Sequence, residues 1–276
     1  MAHALTHYVC VTCGTQFAAT PAEPERCPIC EDERQYIGFG GQRWTTLEAL
    51  RRDYHAVIKP VEPGLTSIGT APRFGIGQRA LLVQSPGGNI LWDCVSLLDD
   101  PTIAAVRALG GIGAIAISHP HYYTTMVEWA HEFDAPIYIH AAEREYVLHP
   151  DPAVRYWEGE TQSLGDGLTL LRLGGHYVGG QVLHWAGTAD GKGALLTGDI
   201  LQVVSDRRWV SFMYSYPNLI PLPVATVRRM ADAVAPYPFD RIHGAFWDRT
   251  LASDASAAVE RSAQRYIAAV TQGFGT

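Results

Sequence analysis

Hydrophobic positions along this chain come mostly in short runs broken by glycine and proline. Arg79–Gln84 and Asn89–Asp93 are strand-like runs around Ser85-Pro-Gly-Gly88, a hairpin signal. A helix is predicted from Asp100-Pro101 through Ile103 and Val106 to Leu109, where Gly110-Gly111 stops it. Ile112–Ile117 is apolar and bounded by glycines and by Ser118-His-Pro, so it reads as a buried strand. Thr124–Phe133 is predicted helical, Pro136–Ile139 a strand, and Ala141–Leu148 helical again. Strands are then expected at Leu168–Leu173, Val182–Ala186 and Gly193–Thr197. A helix around Val224–Val234, a strand near Arg241-Ile242 and a C-terminal helix from about Ser253 complete the pattern. Hairpins mixed with β–α alternation in two similar halves predict an α/β (α+β) domain of two sheets between helices.

Upstream the pattern changes. Gly38–Gly41 marks a linker, Thr45-Thr-Leu-Glu48 reads as a capping box opening a short helix to about Tyr54, and Lys59–Gly77 reads as loop-rich. The predicted division is a small module over 1–40, a linker with a short helix over 41–72, and a main domain over 73–276.

Composition narrows the class without naming it. The 276 residues are 47% hydrophobic and 18% charged, which suits a globular chain with a full core. No apolar run approaches bilayer length, and the N-terminal stretch lacks the pattern of a secretory signal, so a cytoplasmic address is expected, with no membrane partner. The formal net charge is −7, and Arg51-Arg52, Arg207-Arg208 and Arg228-Arg229 are isolated pairs, so no nucleic-acid partner is expected.

Cysteine usage is more specific. Cys10-Val-Thr-Cys13 and Cys27-Pro-Ile-Cys30 are two CxxC knuckles. Two intervening residues let both thiolates of a knuckle face one ion, and two knuckles complete a tetrahedral S4 site. The pair resembles a zinc ribbon, and its second half resembles a rubredoxin knuckle. Zinc is the expected ion. A closed four-thiolate site is usually structural, which favours a stability or homo-oligomer-contact module over electron transfer.

Four predicted strand ends carry the candidate chemistry. His119-Pro-His121 follows one buried strand, and Gly174-Gly-His176-Tyr-Val-Gly-Gly180 follows another. Gly198-Asp199 and His243-Gly244 end two more. In an extended segment, residues two apart point the same way, so His119 and His121 would face one ion. The order HxH, H, D, H resembles the metallo-β-lactamase superfamily from about Phe74 onward. That resemblance implies an αββα sandwich with metal held between strand-end loops.

The resemblance breaks at one place. Where the family motif HxHxDH supplies Asp and His to a second metal, this chain has Tyr123 and Thr124. The resemblance therefore implies one zinc on His119, His121 and His176, with Asp199 binding the metal or orienting water. Tyr123 or Tyr122 would donate to an oxyanion, and His243 would serve as proton donor or extra ligand. The substrate would be a small ester, thioester, lactone or similar molecule. Two alternatives stand beside this. His119, His176 and Asp199 would also make a two-histidine, one-carboxylate iron site, similar to persulfide dioxygenases. A non-catalytic binding protein is the third reading.

Other residues are read as structural. His184 is expected to be a hydrogen-bonded strand histidine, Cys94 a buried inert thiol, and His131, His140 and His149 exposed. Asp93 is expected to support a metal-bound histidine. The aromatic segment Trp209–Tyr216 is either core packing or, with Tyr122 and Trp157, the wall of a substrate pocket.

Overall fold

The structure is a computed structural model that describes residues 4–273. The chain divides into two compact units, Met1–Ile139 with Glu143–Trp157, and His140–Ala142 with Glu158–Thr276.

The first unit begins with the cysteine module. Strand β1 (Val9–Cys10) pairs with β2 (Trp44–Thr45), and the four-residue helix α1 (Pro28–Glu31) lies between them in sequence. Helix α2 (Leu47–Asp53) follows. Its cap is Thr46, whose hydroxyl accepts from Ala49 N at 3.2 Å, one residue later than the capping box expected from Thr45 and Glu48.

The region expected to be linker and loop instead contains two paired strands, β3 (His55–Glu62) and β4 (Leu65–Ala71). Pro60 and Pro63 disguise them in the sequence. β3 is an edge strand, where a missing N–H costs no ladder bond, and Pro63 lies in the turn.

Strands β5 (Ala80–Val83) and β6 (Ile90–Trp92) form the predicted hairpin. Then come α3 (Asp100–Ala108), β7 (Ala114–Ala116), α4 (Met126–Phe133), β8 (Ile137–His140) and β9 (Val154–Trp157). Among the described residues, β3 to β9 make a seven-stranded sheet in sequence order, antiparallel through β6 and parallel from β6 to β8. Parallel neighbours need a crossover, and α3 and α4 supply it. The Asp99 carboxylate caps α3 by accepting from Thr102 N at 2.9 Å. Every residue of β5, β6 and β7 is buried, so the loop that carries His119 and His121 leaves from a buried strand inside the sheet.

The second unit holds β10 (Thr161–Gly165), β11 (Leu168–Arg172), β12 (Gln181–Trp185) and β13 (Ala194–Gly198). Two short ribbons follow, β14 (Gln202–Val203) with β15 (Val210–Ser211), and β16 (Met213–Ser215) with β17 (Ile220–Pro221). Helix α5 (Val224–Val234), β18 (Arg241–Gly244), β19 (Thr250–Leu251) and α6 (Ala255–Gln272) end the chain. The sheet order is β10-β11-β12-β13-β18-β19, with β13 and β18 parallel. Val227, Met230 and Val234 of α5 and Ala258, Val259 and Ala263 of α6 share one buried core with Leu171, Val182, Leu195 and Ile242. No helix of the described residues is long and apolar enough to cross a membrane.

Candidate metal centres

The four knuckle cysteines are brought together and buried. Their sulfurs all lie within 4.8 Å of one another, with Cys10–Cys30 at 3.6 Å and Cys13–Cys27 at 3.8 Å. A disulfide needs about 2.05 Å, so these are not bonded pairs. A tetrahedron with arms of about 2.3 Å has edges of about 3.8 Å, which is the spacing thiolates take around zinc. The backbone makes this shape. Gly14, at φ +85°, donates its N–H to Cys10 O at 2.8 Å, and Cys30 and Glu31 N–H groups both reach Cys27 O at 3.0 Å. Hydrogen bonds from Cys13, Cys27 and Cys30 pull the Cys10 pKa far down, while Cys13 and Cys30 are pushed far up. A divalent cation bound by the four thiolates would take the place of the protons they share. Gln42 Nε2 donates to Cys10 Sγ at 3.2 Å, and Ile29, Phe17, Trp44 and Leu148 pack around the cluster.

In the first unit the histidine pair follows β7. Asp93, directly after the parallel neighbour β6, sits at φ +58° and accepts the Ser118 N–H on Oδ1 at 2.7 Å. The expected support from Asp93 thus reaches the histidine loop through its backbone. His119 is extended at φ −172°, with Nδ1 3.0 Å from Ser118 Oγ. The expected extended run then ends, because Pro120 starts a 3-10 turn over Pro120–Tyr122. His119 and His121 still meet, ring centroids 4.9 Å apart, through a turn rather than along a strand. Tyr122, Tyr123 and Thr124 are buried as well, and the Tyr122 ring meets that of His119 edge to face at 4.6 Å.

In the second unit His176 lies in the loop after β11. Gly174 and Gly175 have φ of +63° and +85°, and a Cβ on Gly175 would sit 2.7 Å from Met230 Sδ, so this close turn requires glycine. His176 Nδ1 is 2.6 Å from Tyr214 O. A carbonyl only accepts, so Nδ1 carries the proton and Nε2 presents a lone pair, the tautomer a metal ligand needs. Asp199 follows β13 and His243 lies in β18. The parallel register Leu196↔His243 and Gly198↔Gly244 sets both residues at the same end of adjacent strands. All of His119, His121, His176, Asp199 and His243 are at most 7% exposed, which is costly for such groups unless they are paired or ligating.

The chain therefore offers two donor sets that fit a metal ion: Cys10, Cys13, Cys27 and Cys30, and His119, His121, His176 and Asp199. His243 is buried in β18, beside the strand that leads to Asp199.

Three supports were not legible as such in the sequence: Ser118, the Tyr214 carbonyl, and Tyr216, whose O–H donates to Asp199 O at 2.9 Å. The aromatic segment also supplies packing. Phe212 is fully buried in the second unit's core, and Arg265 lies 3.7 Å from the ring centre of Trp209.

His184 is buried and its Nε2 donates to Pro238 O at 2.8 Å, the structural role expected. Cys94 is buried, and burial pushes its thiol pKa well up, which keeps it inert. His131 is exposed beside Asp151, but His140 is buried and held by Gly159 O, and His149 is half-buried against His7. Both are covered by segments distant in the sequence, His140 by Gly159 and His149 by His7 and Gln16.

Comparison with known proteins agrees with this fold. The family described as the Metallo-beta-lactamase superfamily matches residues 74–245. The chain is 53% identical over 268 residues to "Uncharacterized protein YmaE" of Bacillus subtilis (strain 168), covering 96% of this chain and 97% of that one. Among solved structures, it resembles the DIM-1 metallo-beta-lactamase at 15% identity and TM-score 0.58, covering 78% of this chain and 98% of that one. It also resembles the FIM-1 metallo-beta-lactamase from Pseudomonas aeruginosa in its mono-zinc form, at 15% identity and TM-score 0.55, covering 76% and 95%. A third neighbour is TTHA1623 in a di-iron-bound form, at 19% identity and TM-score 0.52, covering 71% and 97%. With its metal-type donors at the ends of β7, β11 and β13, the chain belongs to the metallo-β-lactamase superfamily.

Proposed function

We propose that this protein is a metal-dependent hydrolase of small ester-like substrates, thioesters and lactones included, with one zinc in its histidine site and a structural zinc in its four-cysteine module. The observation that carries the reading is the donor chemistry of His119, His121, His176 and Asp199 together with Tyr123 and Thr124 at the second-metal positions. Neither a phenol nor an aliphatic hydroxyl is a good neutral-pH ligand for a divalent ion. A zinc ion held by three histidines supplies Lewis acidity, lowering the pKa of a water from 15.7 to about 7.

The chain's own groups do the rest. The Tyr214 carbonyl fixes the His176 tautomer, so the imidazole stays a neutral donor. Ser118 and Asp93 hold the His119 turn. Asp199 orients water and takes up its proton, on a backbone anchored by Tyr216. Tyr123 donates to the developing oxyanion, and the proton taken up by Asp199 goes on to the leaving group with His243 as its carrier. Tyr123 takes this role from its place directly after the His119–Tyr122 turn, and His243 from its place in β18 beside β13.

The test is metal analysis of the purified chain beside turnover of aryl esters, thioesters and lactones. The reading expects two zinc ions per chain and chelator-sensitive hydrolysis. His176→Ala should lower the metal count to about one and abolish turnover, with the cysteine-site metal retained. Iron with oxygen uptake and no ester turnover, or two ions in the histidine site, would overturn it.

A further inference from the structure

Within the first unit, the cysteine module is attached to the loop that carries His119 and His121. Gln16, three residues beyond Cys13, donates its backbone N–H to Thr124 O at 2.9 Å. Its side chain donates to Glu128 Oε1 at 2.9 Å, in the first turn of α4, and lies 3.0 Å from His149 Nδ1. Ser96 Oγ donates to Gly14 O at 2.9 Å, and Thr125 Oγ1 donates to Ser96 O at 3.0 Å. Gln16 and Thr124 are both 2% exposed.

Thr124 is the residue that needs this attachment. Its φ is +43°, in the left-handed region that a β-branched side chain strongly disfavours. A conformation of that kind persists only where its surroundings over-determine it. Here the surroundings are the module: the Gln16 N–H on the Thr124 carbonyl, and Gly14 beneath the side chain. A Cβ on Gly14 would sit 2.4 Å from Ser96 Oγ and 3.5 Å from Thr124 Cγ2.

We infer that the four-cysteine module is a clamp that holds the His119–Thr124 loop in its metal-binding shape, with Gln16 and Thr124 as positioning residues. The cysteine-bound ion fixes the Cys10–Gly14 turn, that turn places Gly14 and Gln16, and these hold Thr124 in its left-handed conformation. Loss of the cysteine-site ion, by chelation or thiol oxidation, then weakens the histidine site without touching a histidine. Thr124 thus replaces a second-metal ligand with a mechanical link. The inference rests on the reading that His119 and His121 bind a metal.

The experiment uses the full chain and measures zinc affinity of the histidine site by competition with a chromophoric chelator. Gly14→Ala keeps all four cysteines but drives a methyl into Ser96. It should retain cysteine-site zinc and weaken the histidine site by at least about tenfold, or about 1.4 kcal/mol. Thr124→Gly accepts the left-handed conformation freely. Added to Gly14→Ala, it should bring the affinity back to within about threefold of wild type. A site in Gly14→Ala that is as tight as wild type, or a double variant without recovery, overturns the proposal.

Should Gly14→Ala fail to fold, a mercurial thiol reagent strips the cysteine-site zinc instead. Wild type should then lose histidine-site zinc, and Thr124→Gly should keep it; equal loss overturns the clamp. Wild-type protein that binds zinc only at its cysteines overturns the metal reading and the clamp together. A bound histidine-site ion indifferent to the module overturns the clamp alone.

Discussion

Tyr216 donates its phenolic O–H to the backbone carbonyl of Asp199 at 2.9 Å, from a ring whose centroid lies 5.6 Å from that of His176. Burial, with the Asp199 charge nearby, pushes the Tyr216 pKa well up, so the phenol stays protonated and keeps its donor. One side chain thus braces the carboxylate's backbone while contacting a metal-type histidine of the same unit. Replacing Tyr216 with Phe keeps the ring and removes only the O–H. The variant should lose about 1–3 kcal/mol of stability, the cost of an unsatisfied buried acceptor. Histidine-site zinc affinity should fall by about 10- to 100-fold. Urea unfolding and chelator competition measure the two effects separately, and an unchanged affinity would reduce Tyr216 to a packing residue.

Stability should also depend on pH in a definite direction. Burial lowers the pKa values of His140, His149 and His184, with His7 adding to the effect at His149. Each is therefore more readily protonated in the unfolded chain, where the value is near 6.5. Their contribution is fully present above about pH 6.5 and is lost as pH falls from there through the lower folded values. Urea denaturation at pH 7.5, 6.5 and 5.5 should show falling stability. His184→Gln, which keeps an N–H for Pro238 O, should flatten part of that slope. A slope unchanged by this variant would remove His184 from the account.

The aromatic segment after β13 offers a third measurement. Phe212 is fully buried in the second unit's core and meets Tyr266 edge to face at 6.0 Å. Tyr266 in turn bonds both backbone groups of Leu222. Phe212→Ala should cost about 3–5 kcal/mol, seen as a lower urea midpoint. A loss below about 1 kcal/mol would mean that the segment is a loosely packed wall rather than core.

Much of the fold could be read from local pattern. The strands β5 to β8 and β11 to β13, and the helices α3, α5 and α6, are runs whose period and flanking glycines or prolines carry the signal. Other strands were not revealed by pattern, among them β4, β9 and β10. β14 to β17 and β19 span only two or three residues, too short to show a period. β3 carries Pro60, which reads as a loop until its edge position is known.

The donor residues themselves were legible, because Cys, His and Asp at strand ends advertise chemistry in the sequence. Their supports were not. Ser118 and Tyr216 look like ordinary polar residues, and the Tyr214 carbonyl has no residue type at all.

The sequence by itself determined which metal-type donors the chain carries, and that Tyr123 and Thr124 stand where the family motif has Asp and His. Only the tertiary structure decided what Thr124 does instead. Its left-handed backbone and its bond to Gln16 join segments more than a hundred residues apart. Such a link is made by backbone groups that every residue carries, so nothing in the side chains announces it before the chain has folded.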